Sequence, residues 1–463
     1  MAAPLGPTPP KAHDGLPPRE RVLAMAAISL AMTMAVLDGA IVNVALPVMA
    51  KDLAVPPSAA IFVVNGYQIA VTAALLPFAS LGDILGYRRV YLSGLAVFVA
   101  ASLACALSPN LSVLIAARIA QGLGAAGIMS VNIALVRFVY PNRMIGRGVG
   151  NVALVVAMAS AAGPTVAAAI LSVASWPWLF LVNLPVGLVA LLVASRTLPV
   201  TPRSRARFDL PSALLNAVTF GLLIIGIDGL GEEAGRGVAL AEIAGALAVG
   251  TVLVLYQLRL PVPLLPVDLL RIPAFALSMA TSIASFGSQM IAYLALPFYL
   301  QDVLHLSETR TGFLMTPWPI AIALMAPISG RLSDRFPPGI LGGIGLAVMA
   351  AGLTGLALLP AEPTTFDIVW RLTVCGFGFG MFQSPNNRVI LTSAPRERSG
   401  GASGMQSTAR LTGQSLGAAW VAVLFGLTHG TGAERAIAFS LWSAVALAVF
   451  GGVASVLRRQ PEG

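Results

Sequence analysis

Residues Ala24 to Pro47 read AMAAISLAMTMAVLDGAIVNVALP, an apolar run of membrane-crossing length that holds one carboxylate, Asp38. In a helix rising about 1.5 Å per residue, Asp38 lies roughly 25 Å from Arg21 and about 13 Å short of Pro47, at or beyond mid-membrane. A charge at that depth costs several kcal/mol on an isolated helix, so the side chain is expected to face a protein interior or a wet cavity. Two readings stay open here: a functional carboxylate, and a structural one paired permanently with an arginine or capping a kink at Gly39.

The rest of the chain has the same character. Of 463 residues, 57% are hydrophobic and 10% charged, with a mean hydropathy of +0.86. A soluble globular chain carries about a quarter charged residues, so this composition denotes an all-α polytopic membrane protein. The first twenty residues are Pro-rich and polar and have no apolar core ending in a small-residue cleavage site. They read as a cytoplasmic tail, leaving targeting to the first span. Cys105 and Cys375 lie far apart in apolar segments, which gives neither a disulfide framework nor metal-ligand spacing.

Hydropathy marks fourteen segments long enough to span. The first six run over 22–48, 58–81, 89–108, 111–136, 146–171 and 178–197. An Arg-rich loop, RSRARFD (Arg203 to Asp209), precedes two more at 210–230 and 237–258. After the Pro-rich PVPLLPVDLLRIP come 274–300, 311–329, 338–359, 367–390, 403–427 and 435–457. The domains expected are a tail (1–20), a six-helix bundle (21–198), a loop with two additional helices (199–272), a second six-helix bundle (273–458) and a short tail (459–463). With the N-terminus inside, 21 of the 28 Lys and Arg residues fall in inner tails and loops, four in outer loops (Lys51, Arg236, Arg310, Arg435) and three within spans (Arg118, Arg371, Arg410). That asymmetry fits fourteen helices with both termini cytoplasmic. It also uses up the net charge of +9 without nucleic acid as a partner.

A repeat supports the same division. ASLGDILGYRR from Ala79 and GRLSDRFPP from Gly330 each follow the second span of a six-helix block, with Asp four residues after the small residue. Arg118 before QGLG and Arg371 before GFGFG correspond loosely in segments four and twelve. Matching helices keep one orientation, as parallel repeats about an axis along the membrane normal require.

The chain resembles the fourteen-helix drug/proton antiporter branch of the major facilitator superfamily over nearly its whole length. LDGAIVNVALP (Leu37 to Pro47) resembles the branch's helix 1 motif and is its most specific signature. LGDILGYRR resembles the loop 2-3 motif, RIAQGLGAAG (Arg118) the helix 4 motif, and SAAGPTVAA (Ser160) the antiporter motif of helix 5. WPWLFLVNLPVGL (Trp176) is similar to the helix 6 entry and STARLTGQSLG (Ser407) to helix 13. Ala79, Ile84, Ala159, Ala167 and Ala168 depart from the family pattern. The resemblance implies the major facilitator fold, two six-helix bundles plus two extra helices. It also implies that Gly163 and Pro164 close the transport route against leak and bias it towards exchange.

Arg118 lies at a depth comparable with Asp38 and is expected to pair with a carboxylate, a backbone carbonyl or water. Asp38 and Arg118 are therefore the candidate proton-coupling and substrate residues. Candidate cavity-lining residues are Asn43, Tyr67, Gln121, Asn132, Gln289, Tyr293, Gln383, Asn386, Gln406 and the buried cations Arg371 and Arg410. Amides inside a bundle also serve as interhelical glue, and Phe286, Tyr293, Tyr299 and Trp318 either line an adaptable site or pack. Asp83, Gly86, Arg88 and Arg89, with Asp334 and Arg335 in the second copy, are candidate gating-loop residues: Gly86 permits a tight turn, and Asp83 can accept at a helix end or pair with Arg across the bundles. Asp228, Glu232, Glu233 and Glu242 suggest an acidic outer rim.

The expected function is proton-coupled export of lipophilic, often cationic, drugs or biocides by alternating access across the inner membrane, as a monomer and without a cofactor. No G-x-x-x-x-G-K-[ST] sequence is present to hold ATP. The alternative is an exporter or importer of one metabolite on the same scaffold, for which Arg371 and Arg410 suit an anionic substrate. An enzyme is disfavoured because His13, His305 and His429 all fall in tails or loops, and a channel because no filter-like loop repeats around an axis.

Overall fold

In the computed structural model, Asp38 sits inside a single long helix, α1 (Pro18–Asp52), whose 35 residues rise about 52 Å and so overrun the roughly 30 Å hydrocarbon core. The structure describes residues 15–141, 144–201, 203, 208–230, 235–260, 267–333, 335–360, 362–394, 399–428 and 433–458. After α1 come α2 (Pro57–Leu85), α3 (Tyr87–Ala106), α4 (Leu111–Val139), α5 (Ile145–Leu171), α6 (Trp178–Leu181) and α7 (Asn183–Thr197). Next are α8 (Leu210–Gly229) and α9 (Arg236–Gln257), then α10 (Pro273–Phe298), α11 (Glu308–Met315), α12 (Pro317–Leu332), α13 (Pro338–Ala357), α14 (Thr365–Ser393), α15 (Ser399–Leu427) and α16 (Ala433–Val456).

Local chemistry explains where these helices begin and break. Prolines open α1, α2, α10, α12 and α13, where a missing N–H costs nothing. Asn110 caps α4, its side chain accepting from the Val113 N–H at 3.0 Å. Thr364 and Asp367 form a reciprocal capping box on α14. The predicted sixth span divides into α6 and α7 at Val182, and the predicted tenth divides into α11 and α12 at Thr316, just before Pro317.

Among the described residues, eleven helices are long and apolar enough to cross a membrane, and the bent α5 makes twelve. α14 and α15 are as long, 29 residues each, but do not join that set. They carry Arg371, Gln383, Asn386, Asn387 and Arg388, and Gln406, Arg410 and Gln414, respectively.

α1 to α7 pack among themselves, as do α10 to α16, while α8 and α9 pair with each other and α8 leans on α2 and α15. Asn216 of α8 donates to the Ala73 carbonyl of α2 at 2.9 Å and fixes this attachment. Between the bundles, α2 meets α15 and α5 meets α11. The half that the charge pattern assigns to the outside is closed by contacts that include the following. Gln301 donates to the Val44 carbonyl (3.0 Å), Lys51 pairs with Asp302 (2.8 Å), Thr165 and Thr316 hydroxyls meet (2.7 Å), and Gly312 abuts Pro164 and Ala168. A Cβ on Gly312 would lie 2.6 Å from that of Ala168, so only glycine lets α11 come this close to α5.

Candidate functional site

Asp38 is entirely buried, and two helices, α4 and α7, supply its partners. Arg118 of α4 forms an ion pair with Oδ2 through Nη1. Gln121, one turn further along α4, donates from Nε2 to Oδ1 at 2.9 Å. Asn183, at the start of α7, donates from Nδ2 to the same oxygen at 2.9 Å. The carboxylate therefore has a counter-ion and two neutral donors, the condition under which a charge survives in a low-dielectric interior.

Arg118 is held as firmly. Its Nε donates to the Val63 carbonyl of α2 at 3.0 Å, and Nη1 also donates to Gln121 Oε1 at 2.6 Å. Its guanidinium lies 4.3 Å from the Tyr67 ring centroid and 5.6 Å from that of Phe180, the cation–π stacking that arginine favours over lysine. Tyr67 donates its hydroxyl to the Ala35 carbonyl at 3.0 Å, tying α2 to α1. Ser102 of α3 accepts from Gln121 at 2.8 Å, and the Cys105 thiol donates to Gln121 Oε1 at 3.6 Å. The result is one polar cluster built from α1, α2, α3, α4, α6 and α7 and sealed in this conformation.

The remaining sequence candidates divide by what they touch. Asn43 and Asn132 are buried, each with an unpartnered Oδ1. Gln289 is buried on α10, whereas Gln383 and Gln406 are half-buried. Tyr293 packs edge-on against Trp318 with centroids 5.0 Å apart. Two candidates are not cavity residues here. Arg371 is paired within its own helix, donating from Nη1 to the carboxylate (2.9 Å) and carbonyl (2.7 Å) of Asp367, and its side chain packs on Gly355 of α13. Asn386 is committed inside the second bundle, donating to Ser282 Oγ at 2.7 Å and accepting from Arg458 at 2.6 Å.

That arginine lies just past α16 and is itself buried. It also donates to Ser278 Oγ at 2.9 Å and to both oxygens of Ser455. Burial holds its guanidinium down to about 10, still charged at neutral pH.

At the loop between α2 and α3, Gly86 adopts φ +95°, a conformation that favours glycine. Asp83 accepts from the Tyr87 hydroxyl one turn on, Arg88 donates to the Ser195 carbonyl of α7, and Arg89 is exposed. These contacts stay within the first bundle. Arg335 is exposed; Asp334, Glu232, Glu233, His13 and His429 lie outside the described residues. Gly163 faces Ala40 of α1, and the Pro164 carbonyl faces Gly312 across the bundle seam.

Sequence reasoning missed Asn183, Ser102 and Cys105. Asn183 sits inside the quoted WPWLFLVNLPVGL, two residues before Pro185, and an amide in such an apolar run is itself a signal. Ser102 and Cys105 gave none, since small polar residues are common in such helices.

A family model described as Major Facilitator Superfamily matches residues 28–418. The chain belongs to the Major Facilitator Superfamily. It is 54% identical over 447 residues to the uncharacterized transporter YebQ of Escherichia coli (strain K12), covering 96% of this chain and 97% of that protein. It is 31% identical to the riboflavin transporter RibZ of Clostridioides difficile (strain 630), covering 88% and 89%. It is also 31% identical to the multidrug resistance protein Stp of Mycobacterium tuberculosis (strain CDC 1551 / Oshkosh), covering 86% and 75%. Among solved structures, a bacterial homolog of the human lysosomal transporter Spinster superposes with a TM-score of 0.65 at 15% identity, covering 95% and 96%. This major facilitator protein is thus a multi-pass transporter of the inner membrane and not an enzyme.

Proposed function

We propose that the chain is a proton-coupled exporter of lipophilic drugs or biocides, in the fourteen-helix drug/proton antiporter branch, with both termini cytoplasmic. The observation that carries the reading is the Asp38–Arg118 pair, both side chains at most 1% exposed, at mid-membrane depth. A proton arriving on Asp38 would remove the charge that Arg118, Gln121 and Asn183 are arranged to meet. A transporter must expose such a group to the two faces in turn to use a gradient. The similarity to Stp, named as a multidrug resistance protein, supports export of drugs. The similarity to RibZ, named as a riboflavin transporter, supports a second reading in which one metabolite is carried.

The test is transport in proteoliposomes under an imposed pH gradient, following dye movement and internal pH together for rhodamine 6G and fluorescein. Gradient-driven movement of either dye, lost in Asp38→Asn, is the expected result. Undiminished gradient-driven transport in the mutant would refute the coupling role of Asp38. Riboflavin transport without dye transport would favour the metabolite reading.

A further inference from the structure

Deep acid and base groups are unequally matched in this protein. Among the described residues, Asp38 is the carboxylate at membrane depth, and Arg118, Gln121 and Asn183 already occupy it. A cationic cargo would have to displace a guanidinium that is also bonded to Val63 and stacked on Tyr67. The other buried arginines are provided for as well: Arg371 has Asp367, and Arg458 has Asn386, Ser278 and Ser455.

Arg410 differs. It lies about 16 Å along α15 from Ser399, too deep for its charge to be left without water or an anion. Its Nε is buried without an acceptor, as that of Arg371 is, but unlike Arg371 it has no carboxylate paired with it among the described residues. Its surroundings place it on the seam between the bundles. Met405 and Ala409 pack in one cluster with Leu76 of α2, and Leu411 joins the first-bundle cluster containing Tyr67, Val71 and Leu75. The Tyr67 hydroxyl and the Arg410 guanidinium lie within electrostatic reach, and Tyr67 is the residue that stacks on Arg118. Arg410 as a whole is half-buried.

We infer that Arg410 is the anion-binding residue of the transport site, and that the favoured cargo is a lipophilic organic anion carrying a carboxylate, sulfonate or enolate group. The inference rests on the export reading, and reverses the charge that the sequence resemblance suggests for the cargo. A planar guanidinium offering paired N–H donors suits such a group better than an ammonium would.

The experiment measures equilibrium binding to the purified full chain in lipid nanodiscs by fluorescence anisotropy. Fluorescein, a dianion at pH 7.5, and rhodamine 6G, a cation, share the same three-ring core and differ in charge. Fluorescein is expected to bind the more tightly. Arg410→Gln is expected to weaken it ~10-fold or more and Arg410→Lys by less, with rhodamine 6G unchanged or tighter. Tighter binding of rhodamine 6G by the parent would overturn the inference without recourse to a mutant. So would a fluorescein affinity within twofold of the parent in a monodisperse Arg410→Gln protein. Binding requires no gradient, so fluorescein selectivity together with failed pH-driven transport would sink the export reading alone.

Discussion

Removing Arg118 should be far costlier than its size suggests, because it strands Asp38. In Arg118→Met the carboxylate keeps Gln121 and Asn183 as donors but loses its counter-ion at a position with no exposure. Breaking a buried pair from one side costs about 3–5 kcal/mol. A unit of 150–250 residues shifts its midpoint by about 2–4 °C per kcal/mol, so if the first bundle melts as a unit its midpoint falls by on the order of 10 °C. The double mutant Asp38→Asn/Arg118→Met should recover most of that loss, since it removes both charges and leaves amides that can pair. The protein carries its own reporters: Cys105 and Cys375 are free and buried, so their reaction with a thiol-reactive fluorophore follows unfolding without an introduced cysteine. Cys105 touches Gln121 and reads the site itself. A single mutant as stable as the parent, or a double mutant no more stable than the single, would refute the argument that the two charges depend on each other.

Three further outcomes are expected. Thr165→Cys with Thr316→Cys should cross-link under mild oxidation and block transport until reduced, and Gly312→Val, an overpacking of about 1–3 kcal/mol at the same seam, should slow the cross-link about tenfold; an unaltered rate would mean the outer halves do not meet there. Arg458→Ala should lower the unfolding midpoint by several degrees, equivalent to about 1.5–3 kcal/mol for the hydrogen bonds lost to Asn386 and Ser278, and an unchanged midpoint would show that the chain end is not held by α10 and α14. Lys51→Ala should change stability by less than about 1 kcal/mol, because side-chain exposures of 66% and 24% leave its pair with Asp302 screened by water; a loss as large as that of Arg118→Met would contradict this.

Much of the first bundle's chemistry was legible because membrane helices offer few ionisable residues, so Asp38 and Arg118 each demanded a partner and had few to choose from. Depth along a helix gave that much. What depth cannot give is the direction in which a side chain points around the helix, and this is where the second bundle misled. Arg371 and Arg410 look alike in sequence, yet one folds back on Asp367 one turn away, while the other has no carboxylate partner among the described residues and sits between neighbours packed at the seam. The i, i+4 relation of Asp367 and Arg371 was readable in principle. Arg458 lies one residue past the last apolar stretch (435–457), where a charge belongs by default to the interface. Burial there depends on Ser278, Asn386 and Ser455 from three helices converging, which no local pattern announces.

The strengths of these contacts bear on alternating access. Inside the first bundle, Asp38 and Arg118 join α1, α4 and α7 through a buried, charge-assisted network, and its loss carries the penalty of an orphaned charge. Across the outer seam the bonds among the described residues are of another kind: a partly exposed ion pair, an amide-to-carbonyl bond, a pair of hydroxyls, a long hydroxyl-to-carbonyl bond from Thr309 to Ala168, and close contacts of glycine with small residues. Each polar contact there is worth about 1 kcal/mol or less, and its groups find water as soon as they part. A structure so arranged parts between its bundles before it comes apart within them. On the proposed exporter reading, Asp38 meets water when the bundles rock and the seal over it opens, and its charge state is then tied to the motion of the whole bundle.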